Sequence, residues 1–194
     1  CIALYPLDGN ANDLSGNYSG TPTDVSYGVG EFDLAGVFNG SSSYVGTTPN
    51  LIPTNSSFSV SMWIKTNTTG TQALLSRGVL QGTNYYGVGS FVNYNGTDLV
   101  FTFQRGIGNS STYNYNATIS NYDSTSWHNV LYNYNYNNGL GEFYFNGQFI
   151  DSGITAIGDV VYDATYDSGV HTIGQAGRGS LYPNYFNGSI DQVR

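Results

Sequence analysis

Charged side chains are scarce in this sequence. Asp, Glu, Lys and Arg make up 9% of its 194 residues, against about 25% in ordinary soluble proteins. Lys and Arg number 5 and Asp and Glu 13, which gives a formal net charge of −8 at pH 7. Nucleic acids and anionic membranes attract proteins through clustered cations. We therefore expect no nucleic-acid partner. We expect no membrane insertion either, because no apolar run reaches the roughly 20 residues that span a bilayer.

Residues that carry enzyme chemistry are also few. Glu31 and Glu142 are the only glutamates, His128 and His171 the only histidines, and Cys1 the only cysteine. Zinc sites draw on more of these ligands than the chain can bring together. Both the serine nucleophile elbow and the Gly-Lys phosphate loop are missing. The sequence therefore predicts a protein that is not an enzyme.

Aromatic residues and glycine are abundant instead. Aromatics make up 15% of the chain, with 18 Tyr and 26 Gly, whereas disordered chains lack aromatics and carry dense charge. In the segment Ser57–Lys65 every second residue is apolar, namely Phe58, Val60, Met62 and Ile64. A period of two predicts a strand with one side in a core.

Other segments repeat this pattern. Trp127–Tyr136 and Leu99–Phe103 alternate in the same way, and the turn at Asn146-Gly147 predicts a hairpin between Leu140–Asn146 and Gln148–Asp151. The segment Asn109–Thr118, in which Tyr alternates with Asn, is consistent with a strand or a loop. We expect further strands at Ile2–Leu7, Gly36–Phe38, Tyr44–Gly46, Ala73–Ser76, Tyr85–Val92, His171–Gly174 and Phe186–Val193. About a dozen short strands predict an all-β, two-sheet jelly roll.

Both ends of the chain are strand-like. We therefore expect residues 1–194 to be a single domain that forms part of a longer chain. In that case Cys1 either pairs with a cysteine outside the segment or is a free thiol, and a lipidated N-terminal cysteine is a further alternative.

Six short blocks follow one another along the chain, namely Leu7–Gly16, Phe38–Val45, Phe58–Ile64, Trp127–Val130, Phe145–Gly147 and Phe186–Val193. Their order resembles that of laminin G-like jelly-roll domains. Over nearly its whole length the chain thus resembles the concanavalin A-like lectin and glucanase superfamily. The resemblance implies an antiparallel sandwich and, most often, a non-catalytic module that binds sugars or proteins or builds extracellular and viral surfaces. Glucanases of the superfamily carry a Glu-x-Asp-x-x-Glu strand, which this sequence lacks. Asp159, Asp163 and Asp167 are interpreted as turn residues.

The resemblance also implies a structural calcium ion where the N-terminal loop meets the last strand. Four residues of this chain match that position, namely Asp8, Asn10, Asp13 and Asp191. Calcium prefers oxygen ligands of this kind. The alternative is that these side chains cap turns by bonding to nearby backbone.

A sugar-binding site needs an exposed aromatic ring and amide or carboxylate partners. Candidates for such a platform are Tyr113, Tyr115, Tyr132, Tyr134, Tyr136, Asn133 and Asn135. The same residues are equally consistent with an interface between neighbouring copies, because tyrosine is enriched at protein interfaces. The sequence leaves both alternatives open.

The chain carries eight Asn-x-Ser/Thr sequons, against about four expected by chance. Their asparagines are Asn17, Asn39, Asn55, Asn67, Asn95, Asn109, Asn116 and Asn187. Attached glycans would supply the solubility that the scarce charges do not.

These observations favour a structural or adhesive module that is N-glycosylated and assembles with copies of itself or neighbouring domains into an oligomer or filament. The expected location is extracellular, on a cell surface or on a virion surface. The alternative is a lectin module that recognises external glycans with the help of calcium. A glycanase that uses Glu31 or Glu142 is a third hypothesis.

Overall fold

The chain folds into strands joined by turns. A computed structural model describes residues 1–47, 51–81, 84–107, 112–155, 157–162, 169–176 and 184–194. Within these ranges no segment is helical, and no helix long and apolar enough to cross a membrane is found. In chain order the strands are β1 Thr21–Thr23, β2 Ser26–Val29, β3 Leu34–Asn39, β4 Tyr44–Gly46, β5 Phe58–Lys65, β6 Gly70–Gln81, β7 Asn84–Tyr94, β8 Leu99–Ile107, β9 Thr112–Ile119, β10 His128–Tyr134, β11 Leu140–Phe145, β12 Gln148–Ile154, β13 Thr172–Ile173, β14 Gln175–Ala176, β15 Asn184–Tyr185 and β16 Asn187–Asp191.

Two 7-stranded antiparallel sheets face each other. Sheet 1 has the order β1-β4-β13-β6-β7-β8-β9, and sheet 2 has the order β12-β11-β10-β5-β16-β3-β2. A short hairpin of β14 and β15 stands beside sheet 1. The fold is therefore the predicted all-β jelly-roll sandwich.

The core between the sheets is dominated by aromatic rings. Phe103 of sheet 1 stacks on Tyr132 of sheet 2 with centroids 3.9 Å apart, and Phe101 stacks on Phe143 at 4.3 Å. All four side chains are buried. Rings of this size bury large apolar areas, and stacked pairs add a further contribution of about 0.5–1.5 kcal/mol.

Most of the predicted strands are confirmed. Ser57–Lys65, Trp127–Tyr136 and Leu99–Phe103 correspond to β5, β10 and β8, and the predicted hairpin is β11–β12. The strand expected at Ile2–Leu7 is wrong, since only Tyr5 pairs, in a single bridge to Val193. Leu7 has a φ of 62°, which turns the chain out of an extended path.

Candidate functional site

The tyrosines predicted as a surface platform point mainly into the sandwich. Tyr115 of β9 and Tyr132 and Tyr134 of β10 are 5%, 2% and 2% exposed. Successive strand residues point to opposite faces, and the large rings occupy the core-facing positions. For these three residues the platform prediction is wrong. Tyr113, 39% exposed, lies near the start of β9, and Tyr136 is half-buried just past β10.

The asparagines of the same strands point outward instead. Asn133 lies in a cross-strand row between Ser59 of β5 and Glu142 of β11, and its Oδ1 accepts a hydrogen bond of 2.7 Å from the Ser59 hydroxyl. Asn135 forms the turn after β10, where its Oδ1 accepts the Asn137 N–H at 3.0 Å. Both asparagines line a shallow depression of about 380 Å³ on the outside of sheet 2.

The outside of sheet 1 carries a larger set of uncharged polar side chains. Cross-strand register places one row across all four strands β6 to β9, namely Thr71, Asn93, the apolar Val100 and Thr118, and two shorter rows across β8 and β9, namely Thr102 with Asn116 and Gln104 with Asn114. We call this surface the amide face, and its residues are Thr71, Asn93, Val100, Thr102, Gln104, Asn114, Asn116 and Thr118. All of them are exposed or half-buried. Long strands with small or amide side chains on the solvent side thus produce a flat, accessible surface.

Two side-chain hydrogen bonds fix the orientation of the amides. Asn93 Nδ2 donates to Thr71 Oγ1 at 2.9 Å, and Thr102 Oγ1 donates to Asn116 Oδ1 at 2.8 Å. Each hydrogen bond thus occupies one of the two polar atoms of an asparagine side chain. Asn93 Oδ1 and Asn116 Nδ2 have no side-chain partner among the described residues, so an acceptor and a donor are available to a ligand.

The β14–β15 hairpin borders the amide face along β6. Ala176 packs on the outward side chains of Ala73 and Phe91. The hairpin is attached to sheet 1 by a 2.8 Å hydrogen bond from Gly174 N–H to the Leu74 carbonyl. Gly174 has a φ of +81° and lies against the ring of Phe38, which leaves no room for a side chain.

The cations of the described chain lie elsewhere. Arg105 points into the sandwich, where it is 1% exposed, stacks on the Tyr134 ring and donates a 2.9 Å hydrogen bond to the Gly158 carbonyl. Burial lowers the pKa of this guanidinium below its usual value. Arg77 stacks on the ring of Tyr162 at 3.8 Å. These arginines anchor the segment 157–162 to the end of the sandwich.

Two further cations belong to the other sheet. Lys65 ends β5, and Arg194 follows β16, where its guanidinium donates to the Gln192 side chain. The fifth cation, Arg178, lies outside the described residues.

Of the three aspartates interpreted as turn residues, only Asp159 lies in the part of the chain that the structure describes. Asp159 accepts a 2.6 Å hydrogen bond from the Tyr136 hydroxyl and so belongs to the anchored segment 157–162. Asp163 and Asp167 lie outside the described residues.

The first pair of predicted calcium ligands caps turns. Asp13 accepts hydrogen bonds from the backbone N–H groups of Leu4, Ser15 and Tyr18 at 2.8–3.0 Å. Burial alone would raise its pKa, but the hydrogen bonds from the Ser15 hydroxyl and from these N–H groups lower the pKa to about 2. Asn10 Oδ1 accepts the Asn12 N–H at 2.9 Å. Both side chains thus act as turn caps, the alternative that the sequence offered.

The second pair is a better fit to a cation. Asp191 is fully buried, and its Oδ2 accepts the N–H groups of Glu31 and Phe32 at 3.0 Å, while Oδ1 has no hydrogen-bond partner among the described residues. Burial raises the pKa of Asp191, as does the neighbouring Asp8 carboxylate. No group of three or more acidic, His or Cys side chains occurs in the described ranges. Calcium therefore stays a prediction for Asp8, Asn10, Asp13 and Asp191.

The sequons lie mostly at the surface. Asn17, Asn39, Asn55, Asn67, Asn95 and Asn116 are exposed, and Asn187 is half-buried opposite Asn39 in the β16–β3 register. Asn109 lies outside the described residues. Asn116 differs from the others because it belongs to the amide face. Glycosylation stays a prediction.

A family model for laminin G-like domains of the concanavalin A-like lectin/glucanases superfamily matches residues 39–194. The chain belongs to this family. No curated protein sequence matches it.

Several solved structures share this laminin G-like fold. Domain 4 of AbnA, a GH43 extracellular arabinanase from Geobacillus stearothermophilus, was solved with arabinotriose. It is 23% identical, with a TM-score of 0.68, and the match covers 100% of this chain and 90% of that one. The binding domain of botulinum neurotoxin DC in complex with SialylT is 17% identical with a TM-score of 0.61, over 99% of this chain and 45% of that one. The CBM40 of a Ruminococcus gnavus IT-sialidase is 17% identical with a TM-score of 0.57, over 73% of this chain and 76% of that one.

Sequence reasoning missed the amide face. The signal was present in the polar positions of each alternating strand, such as Asn114 and Asn116 beside Tyr113 and Tyr115. The aromatic positions suggested a sugar platform, although aromatic residues in a two-sheet sandwich preferentially fill the core.

Proposed function

We propose that this laminin G-like domain is a non-catalytic module that binds carbohydrate on its amide face. The observation that carries the proposal is the exposed set of Asn, Gln and Thr side chains, two of which keep an unused amide atom, Asn93 and Asn116. Sugar hydroxyls both donate and accept hydrogen bonds, as do amides and hydroxyls of the protein. The likeness in fold to domains solved with arabinotriose and sialyllactose supports the proposal.

The expected affinity is modest. A hydrogen bond that replaces bonds to water contributes about 1 kcal/mol. Four such bonds correspond to a dissociation constant of about 1 mM. Modules with such weak affinity bind effectively when they are linked to a second binding module, because linkage raises the effective concentration of the ligand.

The position of the two glutamates supports the non-catalytic part of the proposal. Glu142 lies on β11, and the Glu31 N–H bonds to Asp191 at the end of β16, three strand spacings away in sheet 2. Three spacings amount to about 14 Å. Catalytic carboxylate pairs of glycosidases lie at most about 9.5 Å apart.

The test is a titration of the purified chain with a panel of neutral oligosaccharides that includes arabinotriose, followed by calorimetry. The double variant Asn93→Ala/Asn116→Ala should weaken binding about tenfold, which corresponds to the loss of one or two hydrogen bonds. The matched control is Asn133→Ala on sheet 2, which should bind like the wild type. Saturable binding that is lost in Asn133→Ala and kept in the double variant would contradict the assignment to the amide face.

Self-association is a second candidate function. The outside of sheet 2, here called the mixed face, consists of Ser59, Ser61, Trp63, Asn129, Leu131, Asn133, Glu142, Tyr144 and Phe149, with Phe32 at its border. Phe149 is 55% exposed and packs edge-on against Tyr144, and Phe32, 49% exposed, packs in the same way against Trp63. Exposed aromatic pairs favour a protein contact. Sedimentation velocity over a range of concentrations tests this candidate, and Phe149→Ser should reduce any association.

An extracellular or surface location and N-glycosylation at sequons outside the amide face complete the proposal, since a glycan on Asn116 would occupy the Nδ2 that we assign to the ligand. The exposed sequons and the low charge of the chain support both. Intact-mass analysis of native material before and after enzymatic removal of N-glycans tests the modification. An unchanged mass would contradict it.

A further inference from the structure

The amide face is long compared with a single sugar ring. One of its rows runs across β6 to β9, and the described side chains extend from Thr118 to Asn114 along β9, that is, over four residue steps. A rise of about 3.4 Å per residue makes this distance about 14 Å, and the three spacings from β6 to β9 add about 14 Å in the other direction. Contacts with one ring would use a small part of such a surface.

The face is also electrically neutral. No Asp, Glu, Lys or Arg belongs to its eight defined residues, whose polar groups are amides and hydroxyls. A carboxylated sugar is bound most strongly by a cation, and Arg in particular binds carboxylates through two parallel hydrogen bonds. Of the cations in the described ranges, Arg105 is buried, Arg77 is stacked on Tyr162, and Lys65 and Arg194 belong to sheet 2.

The net charge of the whole chain also disfavours anionic ligands. The net charge is −8 at pH 7. A uniformly negative field lowers the local concentration of anionic ligands and leaves neutral ones unaffected.

We infer that the amide face takes neutral, linear glycans of about three or more sugar units and discriminates against carboxylated sugars, an inference that rests on the proposed function. The length of the rows sets the number of units. The uncharged amides and hydroxyls set the ligand class. The unused donor of Asn116 and the unused acceptor of Asn93 are available to hydroxyls of the same glycan.

The experiment compares two series of ligands by calorimetry. In the first, arabino-oligosaccharides of one to five units should bind more tightly up to about three units and then level off. In the second, sialyllactose and lactose differ by one carboxylated sugar, and sialyllactose should bind no more tightly. Affinity for the neutral series should not change between low and high salt, because neutral ligands are not screened.

A second experiment introduces a cation into the amide face. Thr118→Arg at the border of the face should raise the ratio of sialyllactose to lactose affinity about two- to fivefold, the effect of one exposed ion pair. The fold of the variant is checked by its unfolding midpoint. An unchanged ratio in a folded variant contradicts the placement of the site.

The possible outcomes separate the two proposals. Absence of binding by every glycan overturns the proposed function. Binding that is already maximal with one sugar unit, or a preference for sialyllactose over lactose, leaves carbohydrate binding in place and overturns only this inference.

Discussion

The two outer faces of the sandwich are built from the same alternating strands but differ in chemistry. The amide face of sheet 1 has no charged residue and no exposed aromatic ring among its defined members. The mixed face of sheet 2 has Glu142 and two exposed aromatic pairs. A neutral hydrogen-bonding surface suits hydroxyl-rich ligands, whereas exposed rings beside a carboxylate suit a protein contact and also the stacking of a sugar ring. The comparison of the two faces therefore decides where a glycan binds.

The largest expected effect compares the two sides of one strand. Tyr132→Ala removes a ring stacked on Phe103 in the core and should lower the free energy of unfolding by about 3–5 kcal/mol. Asn133→Ala, the next residue on the mixed face, should change it by about 0.5 kcal/mol or less. Urea unfolding of both variants measures the difference. Similar losses would contradict the assignment of Tyr to the core and Asn to the surface.

The next effect concerns the β14–β15 hairpin, which borders the amide face and has no counterpart on the mixed face. Gly174→Ala should cost about 1–2 kcal/mol from its positive φ and about 1–3 kcal/mol from overlap with Phe38. Gly147→Ala is the matched control, since its φ is +76° and nothing lies within 4 Å of the added carbon. Urea unfolding should therefore show the larger loss for Gly174→Ala. Equal losses would mean that the contact with Phe38 does not hold the hairpin.

A third prediction concerns the acidic N-terminal loop, which carries the charge that the amide face lacks. The folded pKa of Asp13 is about 2, below its ordinary value of 3.8. A depressed folded pKa contributes stability that is present above about pH 4 and is lost as pH falls toward 2. Asp13→Asn should therefore cost about 1.5–3 kcal/mol at pH 7 and much less at pH 2.

Thermal or urea unfolding of wild type and Asp13→Asn across this range measures the effect. A difference between the two proteins that stays constant from pH 7 to pH 2 would contradict the role of the Asp13 carboxylate as a charged cap.

The smallest expected effect is a control for binding. Asn116→Ala on the amide face and Asn133→Ala on the mixed face should each change the free energy of unfolding by about 0.5 kcal/mol or less, because both side chains lie at the surface. A loss of ligand affinity in Asn116→Ala would then report on contact with the ligand. A large decrease in the free energy of unfolding of Asn116→Ala would contradict that interpretation, because the loss of affinity would then follow from the loss of stability.

Strand periodicity predicted the fold well because it records which side of a strand is buried. The segments that became β5 and β10 alternate clearly, and their pairing in sheet 2 follows. The segment Ile2–Leu7 has strand-like residues, but the sequence does not reveal the positive φ of Leu7 that ends its pairing after Tyr5.

The candidate site was harder to predict, because alternation does not say which of two polar or aromatic faces is outside. Tyr115 and Asn116 are neighbours, and only the structure shows that the ring is buried and the amide exposed. The roles of Asp13 and Asn10 as caps depend on backbone N–H groups whose positions only the folded loop defines.

The most direct test is a two-dimensional nitrogen–proton NMR titration of the labelled chain with arabinotriose. The account predicts progressive shifts of the backbone amides of Asn93, Thr102 and Asn116 and of the side-chain amides of the two asparagines. The backbone amides of Ser59 and Asn133 and the side-chain amide of Asn133 should not shift. Shifts confined to Ser59 and Asn133 would contradict it and place the ligand on the mixed face.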